Sequence, residues 1–137
     1  VFVLDASVTM SWCYEDENAE AGRSILRRLR EQRGIVPVIW RYEVANALLV
    51  GERRRRIEPK QLSRFLDLLE SLDLEVEREV TPRPGQEMMV GRRYGISAYD
   101  ASYLQTAMTR SLPLATFDRR LSSAAESAGV SLIGKMP

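Results

Sequence analysis

The chain has 137 residues, 45% of them apolar, enough for a domain that buries about two-thirds of the surface its unfolded form exposes. Twenty basic residues against nineteen acidic give a formal charge of +1, so any affinity for nucleic acid has to come from local basic patches. A single cysteine, Cys13, excludes an intramolecular disulfide, and the absence of histidine removes imidazole acid–base catalysis, Ser-His and Cys-His nucleophiles, and zinc sites of the common nitrogen–sulfur type.

No repeat, low-complexity tract or linker divides the sequence, so residues 1–137 read as one domain. Its apolar runs fall far short of the roughly 20 residues needed to cross a bilayer. The opening VFVLDASV lacks the basic flank of a signal peptide, and a soluble, cytoplasmic protein is expected.

Val1 to Leu4 is a short, apolar, β-rich run followed directly by Asp5, which predicts a buried strand ending in a carboxylate. A helix is expected from about Ala19 to Gln32, with Ala21, Ile25, Leu26 and Leu29 on one face and Gly34 as its stop. Ile35 to Ile39 reads as the second strand. The spacing of Trp40, Val44, Ala47, Leu48 and Val50 then predicts a helix to about Arg55, and Pro59 suits the first turn of another carrying Leu62, Phe65, Leu66 and Leu69. Leu74 to Val80 alternates apolar and charged residues, as a strand near a sheet edge does, and Pro82 and Pro84 end it.

Two more helices follow, from about Gln86 to Tyr94 and from Ala98 to Arg110, separated by Gly95 and with Ser97 as N-cap. Pro113 to Thr116 predicts a fourth strand, Asp118 opens a helix ending at Gly129, and Val130 to Ile133 is the last strand. The sum is an α/β domain with a mostly parallel sheet. In such sheets the functional cleft lies beyond the carboxyl ends of the strands, where Asp5 and Asp118 both fall.

Each acid also has an ordinary structural reading. Asp5 and Ser7 suit the capping of a helix that begins near Val8, Asp100 stands three residues after Ser97 in a capping-box arrangement, and Asp118 suits an N-cap. Glu43 differs. It lies on the margin of the apolar stripe formed by Trp40, Ala47 and Val50, where a carboxylate is partly desolvated and needs a cation or donor, unless its stem merely leans over the core. Asn46 is one turn on. Clustered carboxylates raise one another's pKa, and a divalent cation reverses that cost. An all-oxygen donor set suits Mg²⁺ or Mn²⁺, which can lower the pKa of a water and orient it for in-line attack on a phosphodiester.

Four strings, VFVLDAS, WRYEVANALL, GISAYDASYLQTA and LATFDRRLSSAAESAGV, spread in this order over almost the whole chain. Together they resemble the PIN-domain ribonucleases, particularly the VapC-type toxins of toxin–antitoxin systems. The resemblance implies a three-layer α/β/α sandwich around a parallel sheet and a Mg²⁺- or Mn²⁺-dependent endoribonuclease, often acting on transfer or ribosomal RNA. It matches the family's four acids to Asp5, Glu43, Asp100 and Asp118, with Asp5, Asp100 and Asp118 as metal ligands, and its smaller polar positions to Ser7, Asn46 and Thr116. It further implies a second copy of the chain and a small antitoxin as partners, with no role for a membrane.

Arg53 to Arg56 form a basic run at a helix end, which reads either as a phosphate-binding patch or as a solvated C-terminus where cations are favoured. Arg92, Arg93, Arg119 and Arg120 are nearer the acids in chain order and are the better RNA candidates. The rival from another class is a phosphorelay receiver domain, for which Thr116 and Lys135 would serve. Its phosphoacceptor is missing, because the third strand ends at Val80-Thr81-Pro82 without an aspartate. A catalytically silent PIN scaffold used for binding is the third reading.

Overall fold

The computed structural model of the protein describes residues 1–14, 16–78 and 81–134. Among them, in chain order, are β1 (Phe2–Leu4), α1 (Ala6–Ser11), α2 (Ala19–Arg28), β2 (Gly34–Val36), α3 (Ile39–Arg53), α4 (Pro59–Ser71), β3 (Leu74–Val76), α5 (Pro84–Tyr94), α6 (Ala98–Arg110), β4 (Leu114–Ala115), α7 (Arg119–Ser127) and β5 (Leu132–Ile133). The strands form one sheet in the order β3-β2-β1-β4-β5, and every pairing is parallel. The mostly parallel sheet expected from the sequence is therefore wholly parallel.

Alternation along the central strands makes this a three-layer α/β/α fold. Val3 of β1 and Leu114 of β4 point into a core with Tyr103, Leu104, Leu121 and Ala125, whereas Phe2, Leu4 and Ala115 point into a second core with Val8, Ile25 and Leu29. Both faces are covered, so the strands need no polar side. A third cluster, Cys13, Val44, Leu48, Ile57 and Phe65, joins α1, α3 and α4, and half-buried Trp40 touches all three clusters. Its indole Nε1 donates to Thr9 Oγ1 at 2.9 Å, which fixes the start of α3 against α1.

Several boundaries move from where the sequence put them. The second helix ends at Arg28 rather than Gln32, because the bonds after it tighten to i→i+3, as in Arg30 N–H to Arg27 O (3.2 Å) and Glu31 N–H to Arg28 O (3.1 Å). Gly34 is not that helix's stop but the first residue of β2, where a Cβ would come within 2.8 Å of Leu74 Cδ2 and 2.9 Å of Leu29 Cδ2. Pro37 ends β2, so Ile39 opens α3 instead of closing a strand. β3 runs only to Val76, and the expected end of that strand, Val80, lies outside the described residues. Strands β4 and β5 are each two residues shorter at one or both ends than expected, and α5 begins at Pro84, in the first turn that proline favours. On α3 the fully buried stripe is Val44, Leu48 and Gly51, while Trp40, Glu43, Ala47 and Val50 form its half-buried margin.

The turn from α5 into α6 sets the height of Asp100. Gly95 is left-handed (φ 67°), as a helix-ending glycine is, and Ile96 N–H bonds back to Gly91 O at 3.0 Å. Gly91 permits this close approach, since a Cβ there would meet Ile96 O at 2.8 Å. No helix among the described residues is long and apolar enough to cross a membrane.

Candidate active site

Asp5 stands directly after β1 and is 4% exposed. It occupies the N-cap position of α1, yet its side chain makes no capping bond. The carboxylate is held instead by two hydroxyls that converge on Oδ2: Ser7 Oγ donates at 2.5 Å and Thr116 Oγ1 at 2.7 Å. Each hydroxyl is oriented from behind, because Ser7 Oγ accepts from Phe117 N–H (2.9 Å) and Thr116 Oγ1 accepts from Asp118 N–H (3.1 Å). With those lone pairs occupied, the hydroxyl protons face Asp5. The network thereby ties the end of β1 to the end of β4.

Burial nevertheless dominates. A hydrogen bond to a charged group is worth about 1.5–3 kcal/mol, while removing an ion from water costs several. Burial accordingly pushes the Asp5 carboxyl up, the two hydroxyls pull it partly back, and nearby Asp118 pushes it further up.

Asp118 is a true N-cap, its Oδ1 accepting from Leu121 N–H at 2.9 Å. Asp100 lies in the first turn of α6, where Ser97 Oγ accepts its backbone N–H at 3.1 Å. Burial, then the charges of Asp118 and Asp5, push the Asp100 carboxyl up to about 6, against opposing help from Ser97 and from the Arg120 guanidinium. Glu43 of α3 accepts from the Tyr103 hydroxyl at 2.6 Å. Burial raises it too, Tyr103 partly offsets this, and Asp5 and Asp100 add to the rise. Asp5 thus feels the charge of Asp118, Glu43 those of Asp5 and Asp100, and Asp100 those of Asp118 and Asp5, although the four come from four separate elements.

The other residues singled out from sequence divide. Ser7 and Thr116 join the cluster as described, whereas Asn46 is exposed on the turn after Glu43 and makes no side-chain hydrogen bond to the described residues. Of the basic candidates, Arg120 acts on Asp100; Arg92, Arg93 and Arg119 are exposed and have no resolved effect on the acids. Arg93 lies over the Tyr94 ring at 5.6 Å. Arg53 to Arg56 are exposed at the far end of α3, ten residues or about 15 Å along the axis from Glu43, and Arg56 stacks over Tyr14 at 5.1 Å. That placement fits a solvated helix end. Tyr103 was not picked out from sequence. It stands three residues after Asp100, one helical turn on, so its spacing carried the signal. Lys135, considered for a receiver-like site, lies outside the described residues.

Among the described residues no three acids close into a ready-made metal cage. The donor set still fits a hard divalent cation, which is held through one or two carboxylates and keeps several waters. Burial, with the neighbouring acids adding to it, lifts Asp100 to about 6, and such an ion supplies the positive charge that would favour its ionised form.

Among curated proteins none matches the sequence significantly. Solved structures do share the fold. A protein described as PAE2754 from Pyrobaculum aerophilum superposes with a TM-score of 0.71 at 24% identity, over 96% of this chain and 89% of that one. FitAcB from Neisseria gonorrhoeae gives 0.65 at 19% identity, over 97% and 96%. A family model described as the PIN domain matches residues 2–127, a span that contains all four acids and the hydroxyls that hold Asp5. By that match across almost its whole length, the chain belongs to the PIN domain family, whose members are generally nucleases.

Proposed function

We propose that this protein is a divalent-cation-dependent endoribonuclease, the toxin of a VapBC-type toxin–antitoxin pair, with Asp5, Glu43, Asp100 and Asp118 as its catalytic acids. The observation that carries the reading is the convergence of these acids from four elements around a buried Asp5 held by Ser7 and Thr116, where burial first and neighbouring acids second raise Asp5, Glu43 and Asp100 and one arginine opposes the rise. Asp5, Asp100 and Asp118 would hold Mg²⁺ or Mn²⁺, directly or through water. Bound there, the cation supplies activation of water and neutralisation of charge at the phosphodiester.

The chain's own residues do the rest. Ser7 and Thr116 point the Asp5 carboxylate one way and partly offset the burial that raises it. A carboxylate of the four that is not engaged by the cation accepts the proton of the attacking water. Arg120, whose charge reaches Asp100, would meet a phosphate, with Arg92, Arg93 and Arg119 as further backbone contacts. Because the nucleophile is water, the RNA 2′-hydroxyl is not needed chemically, and preference for RNA rests on sugar and shape contacts. The four sequence strings shared with VapC-type toxins support a small antitoxin whose C-terminal segment covers the acids, and a homodimer or toxin–antitoxin hetero-oligomer.

The test is incubation of the purified protein with total RNA and Mg²⁺ or Mn²⁺, beside Asp5→Asn and Asp100→Asn variants and an EDTA control. Cleavage by the wild type alone, abolished by EDTA, is expected. Cleavage that survives both substitutions sinks the site, and no cleavage by any protein favours a silent scaffold.

A further inference from the structure

The four acids are anchored unequally. Asp5 is gripped by two hydroxyls, Asp118 by the backbone of its own helix, and Asp100 sits beside Ser97 in the turn that starts α6. Glu43 has the longest side chain of the four, is half-buried, and takes one hydrogen bond from the described residues, the 2.6 Å contact from Tyr103. A glutamate without such an anchor samples several rotamers, and each must be frozen out before a ligand is bound.

Tyr103 is itself immobile. It is completely buried, packed with Val3, Leu104, Ala107, Leu114 and Leu121 between α6 and the sheet. A phenylalanine would fill the same space without placing a hydroxyl where solvent cannot reach it, so packing alone does not account for the oxygen. That oxygen faces two other elements, the Glu43 carboxylate on α3 and the backbone N–H of Ala6, the residue after Asp5. Burial, with the Asp5 and Glu43 charges nearby, pushes the phenol far above the ordinary tyrosine range, so it stays a proton donor.

We infer that Tyr103 is a positioning residue: it holds Oε1 of Glu43 and so sets the rest of that carboxylate toward Asp5 and Asp100, ready for a divalent cation. This rests on the proposed nuclease reading, but only for its consequence in catalysis.

A double-mutant cycle over wild type, Tyr103→Phe, Glu43→Ala and the double variant tests it. Mn²⁺ binding is read by the electron paramagnetic resonance signal of free Mn²⁺, RNA cleavage by kcat and KM, and folding by thermal melting. Tyr103→Phe is expected to weaken Mn²⁺ binding and lower kcat about tenfold, the lower end of what outer partners of metal ligands contribute, with KM for RNA unchanged. In the Glu43→Ala background the same substitution is expected to do nothing further. Effects that multiply, unchanged Mn²⁺ affinity in Tyr103→Phe, or no Mn²⁺ binding by the wild type each overturn the inference. A non-additive binding cycle without RNA cleavage leaves the brace standing and removes the nuclease reading; cleavage with an additive cycle does the reverse. If Tyr103→Phe fails to fold, 3-fluorotyrosine at position 103 replaces it: its ¹⁹F resonance should move on adding Mg²⁺ in the wild type and stay still in Glu43→Ala, and a resonance indifferent to Glu43 contradicts the role.

Discussion

Two groups of carboxylates in this molecule are handled in opposite ways. On the edge strand β3 and just beyond its two ends, Glu75, Asp73 and Glu77 face Arg33 and Arg110, with Arg33 Nε 3.2 Å from Asp73, Arg33 Nη1 3.7 Å from Glu75, and Arg110 Nη1 3.6 Å from Glu75 and 2.8 Å from Glu77. These pairs are solvated, and the charges that crowd one another are answered from within the chain. At the ends of β1 and β4, Asp5, Glu43, Asp100 and Asp118 are drawn together with more burial and less compensation: Arg120 is the one cation among the described residues with a resolved effect on them. The same element of chemistry, clustered negative charge, is balanced at one site and left open at the other. The proposed nuclease reading accounts for that difference: in it the cleft takes from outside the cation that the edge finds within the chain.

The contrast can be broken most severely at Asp5. Asp5→Asn keeps the shape and the hydroxyl contacts but removes the charge, and RNA cleavage under Mg²⁺ should fall about 10²–10³-fold, the scale lost with one preorganised electrostatic group; near-wild-type turnover would detach Asp5 from the chemistry. Thr116→Val deletes a donor to Asp5 and strands the Asp118 N–H. A loss of about 10- to 100-fold in kcat or Mg²⁺ affinity is expected, smaller than for Asp5 itself.

Acidity sharpens the comparison without touching catalysis. Asp100 is pushed up to about 6 in the folded protein, above the roughly 3.9 of an unfolded aspartate, so folding favours its protonated form. That stability is fully present below about pH 4 and is lost as pH rises through about 6; Asp5 and Glu43 shift in the same direction. The melting temperature of the metal-free protein should therefore drop between about pH 4.5 and 7.5, Asp100→Asn should flatten the drop, and Mg²⁺ at the upper pH should restore it by binding the folded state. The smallest effect belongs to the balanced edge. Arg110→Ala removes exposed, solvent-screened pairs, and denaturant unfolding should show at most a small loss of stability with RNA cleavage untouched.

Much of this arrangement was legible in the sequence because it is local. Short apolar runs ending in an acid mark β1, Gly95 and Ser97 mark the turn into α6, and the alternation after Leu74 marks an edge strand. What failed was also local in form but decided by neighbours at a distance. Gly34 reads as a helix stop, yet it pairs with Phe2 of β1 and Leu74 of β3 as a strand residue, where Leu74 and Leu29 leave no room for a Cβ. Asp5 reads as a cap as easily as a ligand; the second hydroxyl that holds its carboxylate comes from Thr116, 111 residues later. The spacing of Tyr103 from Asp100 was visible, but its partner Glu43, 60 residues earlier, was not. Asp118 shows that the two readings need not compete, being both a working N-cap and a charge felt by Asp5 and Asp100.

The claim that the cleft is left open for a cation is tested most directly by calorimetric titration of Mg²⁺ and Mn²⁺ into the metal-free protein at about pH 7.5 and about pH 5.5. Binding at the higher pH with release of protons, weaker binding at the lower, loss in an Asp5→Asn, Asp100→Asn double variant and no change in Arg110→Ala is the predicted pattern. Absence of binding by the wild type, or binding of equal strength in the double variant, would contradict it.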